Sequence, residues 1–200
     1  MSSLQCETTV ILARHGNAAY ESQLLAEVGG SLTDLGRQQA AALSEALADR
    51  RIAHVWASTL ARAVQTAEIA AARLGVGVTT REGLREFGCG DLAGTDREID
   101  PFVPIFRSWL DGDLAARIPG GESGEELVGR MRGVLSEIAD AHPGETVLVI
   151  SHGGVLRLGV PNLARMDAGP ERIGNCSTIE LAIDADDWVC RSWSTPRREF

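Results

Sequence analysis

The chain has 200 residues, 44% of them apolar and 24% charged, which suits one compact globular domain with a sizeable core. A formal net charge of −9, with no basic stripe anywhere, argues against a nucleic-acid surface, and no run reaches the roughly 18 apolar residues a membrane helix needs. All 19 basic side chains are Arg, so no lysine is present to serve as nucleophile, Schiff base or phosphate ligand.

In chain order, short apolar runs alternate with helical patterns, the signature of an α/β fold with a largely parallel sheet. Thr9 to Ala13 is a buried-strand candidate. Thr33 offers an N-cap, and Leu35, Ala42, Leu43, Ala46 and Leu47 recur at helical spacing. Ala53 to Ala57 is a second strand, Leu60 to Leu74 an Ala-rich helix closed by Gly75, and Val76 to Thr80 a third strand. From Glu86 to Ser123 periodicity fails, and Gly88, Gly90, Gly94, Pro101, Pro104 and Pro119 punctuate an excursion with a short helix near Phe102 to Leu110. Ser123 or Gly124 opens a long helix to His142, before Pro143-Gly144. Thr146 to Ile150 is a strand, Gly154 to Leu163 a short helix, and Thr178 to Ile183 with Val189 to Trp193 a hairpin turning at Asp184 to Asp187.

Cys6, Cys89, Cys176 and Cys190 form no C-x-x-C pair and no Cys/His ligand spacing, so zinc is not suggested. Their sparse use fits reduced thiols. Met1 to Thr9 is polar and has no signal-peptide regions. A cytoplasmic location is expected.

Two histidines share a setting. Val10 to Ala13 runs into Arg14-His15-Gly16, and Val147 to Ile150 runs into Ser151-His152-Gly153. Each imidazole stands at the carboxyl end of a predicted parallel strand, where open α/β sheets bind ligands. Phosphoryl transfer through histidine needs a neutral imidazole, cationic donors for the phosphoryl oxygens and an acid for the leaving oxygen. Arg14 adjoins His15, and Arg62 lies two residues into the helix after Ser58-Thr59-Leu60. Glu86, just after the third strand, is an acid candidate that spacing alone does not separate from Glu82. His54 and His142 receive no role.

These blocks resemble the histidine phosphatase superfamily, in its phosphoglycerate-mutase-like branch. The resemblance spans nearly the whole chain: Leu12 to Gly16, Leu32 to Ala40, Ser58 to Glu68, Leu84 to Gly88, Pro119 to Ser123 and Ser151 to Gly154, in order. It implies a three-layer αβα sandwich with a mostly parallel central sheet, a single domain over residues 1–200 and a lid-like excursion over about 87–122. It also implies that His15 is phosphorylated, that Arg14, Arg62, His152 and the Gly153 backbone hold the phosphoryl oxygens, and that Glu86 is general acid and base. No metal and no cofactor is expected, and the implied partner is a small phosphorylated metabolite. The sequence does not set the oligomeric state.

The pattern departs from the family at Asn17 and Ala18, where Glu or Gln followed by Thr or Ser is common, and at Tyr20 and Glu21, where Trp-Asn is common. Asn17 is a candidate replacement for the lost phosphate-binding amide. The expected activity is hydrolysis of a small phosphomonoester. The alternatives are a phosphoglycerate mutase and a non-catalytic phosphate-binding relative. Against the mutase, the resemblance leads one to expect Arg, then Tyr two residues on, after the acid, with a Lys beyond. Here Phe87 and Cys89 take the first two places, and no Lys exists. Specificity is expected in the excursion, from Arg85, Phe102, Phe106, Arg107, Trp109 and Arg117.

Overall fold

The computed structural model describes residues 6–20, 22–26, 29–166, 173–185 and 187–194. Strand β1 (Thr8–Arg14) leads through the two-residue strands β2 (Ala18–Ala19) and β3 (Ser31–Leu32) to helix α1 (Asp34–Ala46). Strand β4 (Ile52–Ser58), helix α2 (Ala61–Leu74) and strand β5 (Val78–Arg81) follow. The excursion carries α3 (Val103–Leu110). Then come α4 (Gly124–Ala141), β6 (Thr146–Ser151), α5 (Gly153–Leu163) and the hairpin β7 (Thr178–Ile183) and β8 (Trp188–Trp193).

The main sheet has the order β5-β4-β6-β1-β7-β8. Strands β5, β4, β6 and β1 run parallel, and the β7–β8 hairpin adds two antiparallel strands at one edge. Because side chains alternate across a strand, each central strand feeds two cores. Val10, Leu12, Val147 and Val149 pack with residues of α4 and α5 on one face. Ile11, Ala13, Leu148 and Ile150 pack with α1 and α2 on the other. This is the mostly parallel αβα arrangement expected from the sequence.

The local signals explain most element ends. Thr33 caps α1 by accepting from the Gly36 N–H, Gly75 ends α2 in the left-handed conformation at φ 71°, and Ser123 with Glu126 forms a capping box at α4. Of the periodic apolar set, Leu43 and Leu47 are buried as read and the other three are not. Leu35 is 54% exposed, and Ala42 and Ala46 also face solvent. Gly36, Ala40 and Ser44 are buried beside Leu43. Small residues at Gly36 and Ala40 let the helix lie tightly on the segment after β1: a Cβ on Gly36 would stand 2.0 Å from the Asn17 carbonyl oxygen.

Candidate active site

The parallel pairing of β1 with β6 sets Arg14 opposite Ser151. The next residues are His15 and His152, whose ring centroids lie 5.1 Å apart. The His15 N–H donates to the Ser151 carbonyl at 3.0 Å, extending the register past the strand ends. Both imidazoles are buried, at 4% and 0% exposure.

The tautomer of His15 follows from its partners. Nδ1 lies 2.7 Å from the Gly16 carbonyl oxygen, an acceptor only, so Nδ1 carries the proton. Nε2 is then the lone-pair nitrogen, and it accepts from Arg62 Nε at 3.1 Å. Burial, with the charges of Arg62 and Arg14 adding to it, pushes the His15 pKa down to about 3 despite the Gly16 bond. The imidazole is therefore neutral at physiological pH. Burial first, and then Arg62, also holds His152 well below the usual histidine value.

Arg62 is 5% exposed and belongs to the first turn of α2. Its carbonyl accepts from Thr66 Oγ1, and Thr66 Oγ1 in turn accepts from the Gly16 N–H. One hydroxyl thus ties the Arg62 helix to the His15 loop. Asn175 adds a second tie by donating to the His15 carbonyl at 2.9 Å. Arg14 donates to the Ile173 carbonyl at 2.8 Å, while its buried Nε has no partner among the described residues.

Glu86 reaches across from the end of the β5 side to the start of α5. Its Oε2 accepts from the Gly154 N–H at 2.9 Å, and its Oε1 from the Val155 and Phe87 N–H groups at 3.0 and 3.3 Å. Burial raises the Glu86 pKa, opposed by the Gly154 and Val155 bonds and by the Arg62 charge. Arg130 on α4 steadies this segment by donating to the Gly83 and Arg85 carbonyls while pairing with Glu122.

Arg14, His15, Arg62, Glu86 and Gly153 line one cavity of about 340 Å³, with Tyr20, Phe106 and Arg157 at its wall. His152 lies beneath it, its Nε2 2.7 Å from Ser58 Oγ and its Nδ1 without a protein partner among the described residues. The fold thus gathers the cations, imidazoles and acid candidate in one place. Among the described residues, no three His, Cys, Asp or Glu side chains converge as a metal site.

The family model for the histidine phosphatase superfamily (branch 1) matches residues 10–196. The chain belongs to the histidine phosphatase superfamily. Phosphoglycerate mutase-like protein 4 of Arabidopsis thaliana is 35% identical over 92% of this chain and 84% of its own length. A probable phosphoglycerate mutase of Yersinia pestis is 31% identical over 92% of this chain and 89% of its own. Among solved structures, mycobacterial glucosyl-3-phosphoglycerate phosphatase superposes with a TM-score of 0.75 at 27% identity, covering 94% of this chain and 98% of that one. An Entamoeba histolytica phosphoserine phosphatase variant shares the fold, with a TM-score of 0.72 at 20% identity over 94% and 97% of the two chains.

Some residues singled out in the sequence lie elsewhere. Asn17 does not line the cavity: its Oδ1 accepts from Thr33 Oγ1 at 2.7 Å, which spends the amide oxygen on the entry to α1. Glu21 lies outside the described residues. Glu82 is exposed and pairs with Arg85 at 3.0 Å, away from the cavity. Trp109 is a core residue, 2% exposed, donating to the Ala116 carbonyl. Arg117 pairs with Glu126 on the surface. Phe102, Phe106 and Arg107 do line the cleft beside Glu86. Sequence reasoning overlooked Ser58, Thr66, Arg130, Arg157 and Asn175 as members or supports of the site. Only Thr66 carried a signal, being one helical turn after Arg62.

Proposed function

We propose that the chain is a metal-independent phosphatase that hydrolyses a small phosphomonoester through a phosphohistidine on His15. The observation that carries this reading is the pairing, in one cavity, of a neutral imidazole of fixed tautomer with a carboxyl that burial pushes toward its protonated form. The His15 Nε2 lone pair attacks phosphorus while Arg62 shifts its donor from Nε2 to a phosphoryl oxygen. Arg14 Nε, His152 Nδ1 and the Gly153 N–H supply further donors. The ester P–O bond breaks, and Glu86 delivers its proton to the departing alkoxide. Glu86 then takes a proton from water as that water attacks phosphorus. The P–N bond breaks, phosphate leaves, and His15 returns to its neutral form.

Glu86 stands where three contiguous parts of the cleft meet, so water has a path to the phosphohistidine. That supports hydrolysis over isomerisation. The mutase names of relatives at 35% and 31% identity favour a second reading, phosphoglycerate isomerisation. A cytoplasmic setting accords with four cysteines that form no disulfide.

The test is phosphate release from an aryl phosphate in the presence of EDTA, with rapid quenching on labelled substrate. Wild type is expected to trap an acid-labile phosphoprotein, and His15→Ala to lose nearly all turnover while keeping its circular dichroism spectrum. Substantial turnover by folded His15→Ala overturns the mechanism. With 3-phosphoglycerate and catalytic 2,3-bisphosphoglycerate, isomerisation much faster than phosphate release establishes the mutase instead.

A further inference from the structure

Most described arginines outside the cleft are matched by carboxylates, as in Arg81–Glu137, Arg117–Glu126 and Arg130–Glu122. An acidic chain has acids to spare, so a cation without one is informative. Arg157 stands where the phosphoryl pocket opens into the next part of the cleft and lines both, Arg107 lines the outer part alone, and neither pairs with a carboxylate among the described residues. Arg157 is half-buried, and its guanidinium lies over the Phe106 ring at 5.6 Å. This contact orients the head without neutralising it.

The position of Arg157 relative to the chemistry is fixed by α5. Gly154 touches Glu86 so closely that a Cβ there would stand 2.6 Å from Glu86 Oε1. Arg157 follows three residues later, about 4.5 Å further along the helix axis and on a neighbouring face. A group a few bonds beyond the scissile oxygen therefore comes within its reach.

The wall between them is apolar. Phe87 packs edge-on against Phe102 with ring centroids 5.2 Å apart, and lies 5.9 Å from Phe106. Val103 and Leu110, 46% and 41% exposed, continue the same wall on α3. Among the described residues, the one carboxylate in this part of the cleft besides Glu86 is Asp100, which also lines the part shared with Tyr20.

Resting on the phosphatase reading, we propose that the leaving alcohol of the substrate has an apolar, planar body and a second anionic group, with the body against Phe102 and Phe106 and the anion on Arg157. The anion is a carboxylate or a second phosphoryl group; both present the oxygen pair that a guanidinium fork binds.

The experiment compares aryl phosphates of nearly equal leaving-group strength: p-tolyl phosphate, 4-(phosphonooxy)phenylacetate, and the analogue with a phosphonate in place of the carboxylate. Wild type is expected to favour at least one anionic ester over p-tolyl phosphate by tenfold or more in kcat/KM, and the preferred ester identifies the anion. Its KM is expected to be at least tenfold below that of 3-phosphoglycerate, which lacks the planar body. Arg157→Gln should bring the kcat/KM ratio to near one, and Arg157→Lys, which keeps the charge but not the fork, should retain only part of it. A wild-type ratio near one overturns the subsite without any variant; so does a ratio unchanged by Arg157→Gln, or a KM no lower than that of 3-phosphoglycerate. Failure to release phosphate from p-tolyl phosphate is the separate result that defeats the phosphatase reading itself.

Discussion

At the scale of single residues, the site depends on where protons sit. The Gly16 carbonyl fixes the proton of His15 on Nδ1, and Arg62 holds the lone pair of Nε2 until a phosphoryl group arrives. Glu86 must be protonated to serve the first step, and its raised pKa keeps that form available above the ordinary carboxyl range. Glu86→Gln is therefore expected to slow an alkyl phosphate by about 100-fold, but an aryl phosphate far less, because an aryl oxygen leaves without help. In wild type, the alkyl-to-aryl rate ratio should fall as pH rises through the raised Glu86 pKa; taking the ratio cancels the ionisation common to phosphate esters. Equal losses on both substrates, or a flat ratio, remove Glu86 from the acid role. Ser58 makes a similar case for His152. Its Oγ accepts from the Leu60 N–H at 3.2 Å and lies 2.7 Å from His152 Nε2; the arrangement in which this hydroxyl donates to Nε2 puts the ring proton on Nδ1, as the proposed mechanism requires. Ser58→Ala should lower kcat/KM about tenfold, shift the ¹⁵N resonances of His152 between tautomers and be rescued by Ser58→Thr. An unchanged ¹⁵N spectrum would show that the hydroxyl does not set the tautomer. The two histidines were legible in the sequence because a strand ending in His-Gly is a local pattern. Ser58 and Asn175 were not, because each acts only through a neighbour brought up by folding, 94 and 160 residues away.

At the scale of elements, glycine controls how closely helices approach the catalytic loop. A Cβ on Gly16 would stand 2.5 Å from the Gly36 carbonyl oxygen, just as one on Gly36 would strike Asn17. The start of α1 and the His15 loop are thus in direct backbone contact. Gly36→Ala forces backbone to move and is expected to cost about 1–3 kcal/mol, read as a lower urea midpoint, together with a loss of turnover as His15 shifts. Gly129→Ala is the control: it lies on the exposed face of α4 with nothing within 4 Å of a Cβ. It should be stabilising by about 0.5–1 kcal/mol through helix propensity. Equal effects at the two sites would show that the Gly36 contact is not a tight one. The same feature explains why periodicity finds only Leu43 and Leu47 of the buried face of α1. Periodicity counts large apolar residues, but this interface needs small ones, so Leu35 stays outside while Gly36 and Ala40 go in. The strands and the caps of α1, α2 and α4 were legible because Thr33, Gly75 and Ser123 act on their own next turn. The excursion was legible only as a break in pattern. Phe102 and Phe106 reach the cleft while Trp109 fills the core, a division set by how α3 packs and not by its composition.

At the scale of the whole molecule, burying neutral imidazoles makes the stability of the fold depend on pH. The unfolded chain protonates His15 near the ordinary value of 6.5, whereas the folded chain resists until about 3. Between those values the unfolded state binds the extra proton, so stability is lost as pH falls from 6.5 toward 3. At pH 5 the loss from His15 alone is about 2 kcal/mol, and His152, lowered in the same direction, adds to it. Glu86 acts with the opposite sign. Its folded pKa is raised, so the folded state keeps a proton that the unfolded state releases above 4.5, and its contribution is lost as pH rises through the raised value. Acidification from pH 7 to 5 therefore sets two histidines against one carboxyl, and the histidines prevail. Urea unfolding of wild type should show lower stability at pH 5 than at pH 7. His15→Asn, which cannot titrate, should lose about 2 kcal/mol less over that interval, and Glu86→Gln should lose more than wild type because the compensating proton is gone. Identical pH slopes for wild type and His15→Asn would mean that His15 titrates at its ordinary value in the folded protein. The neutral nucleophile on which the proposed mechanism depends would then be protonated over the acid half of the physiological range.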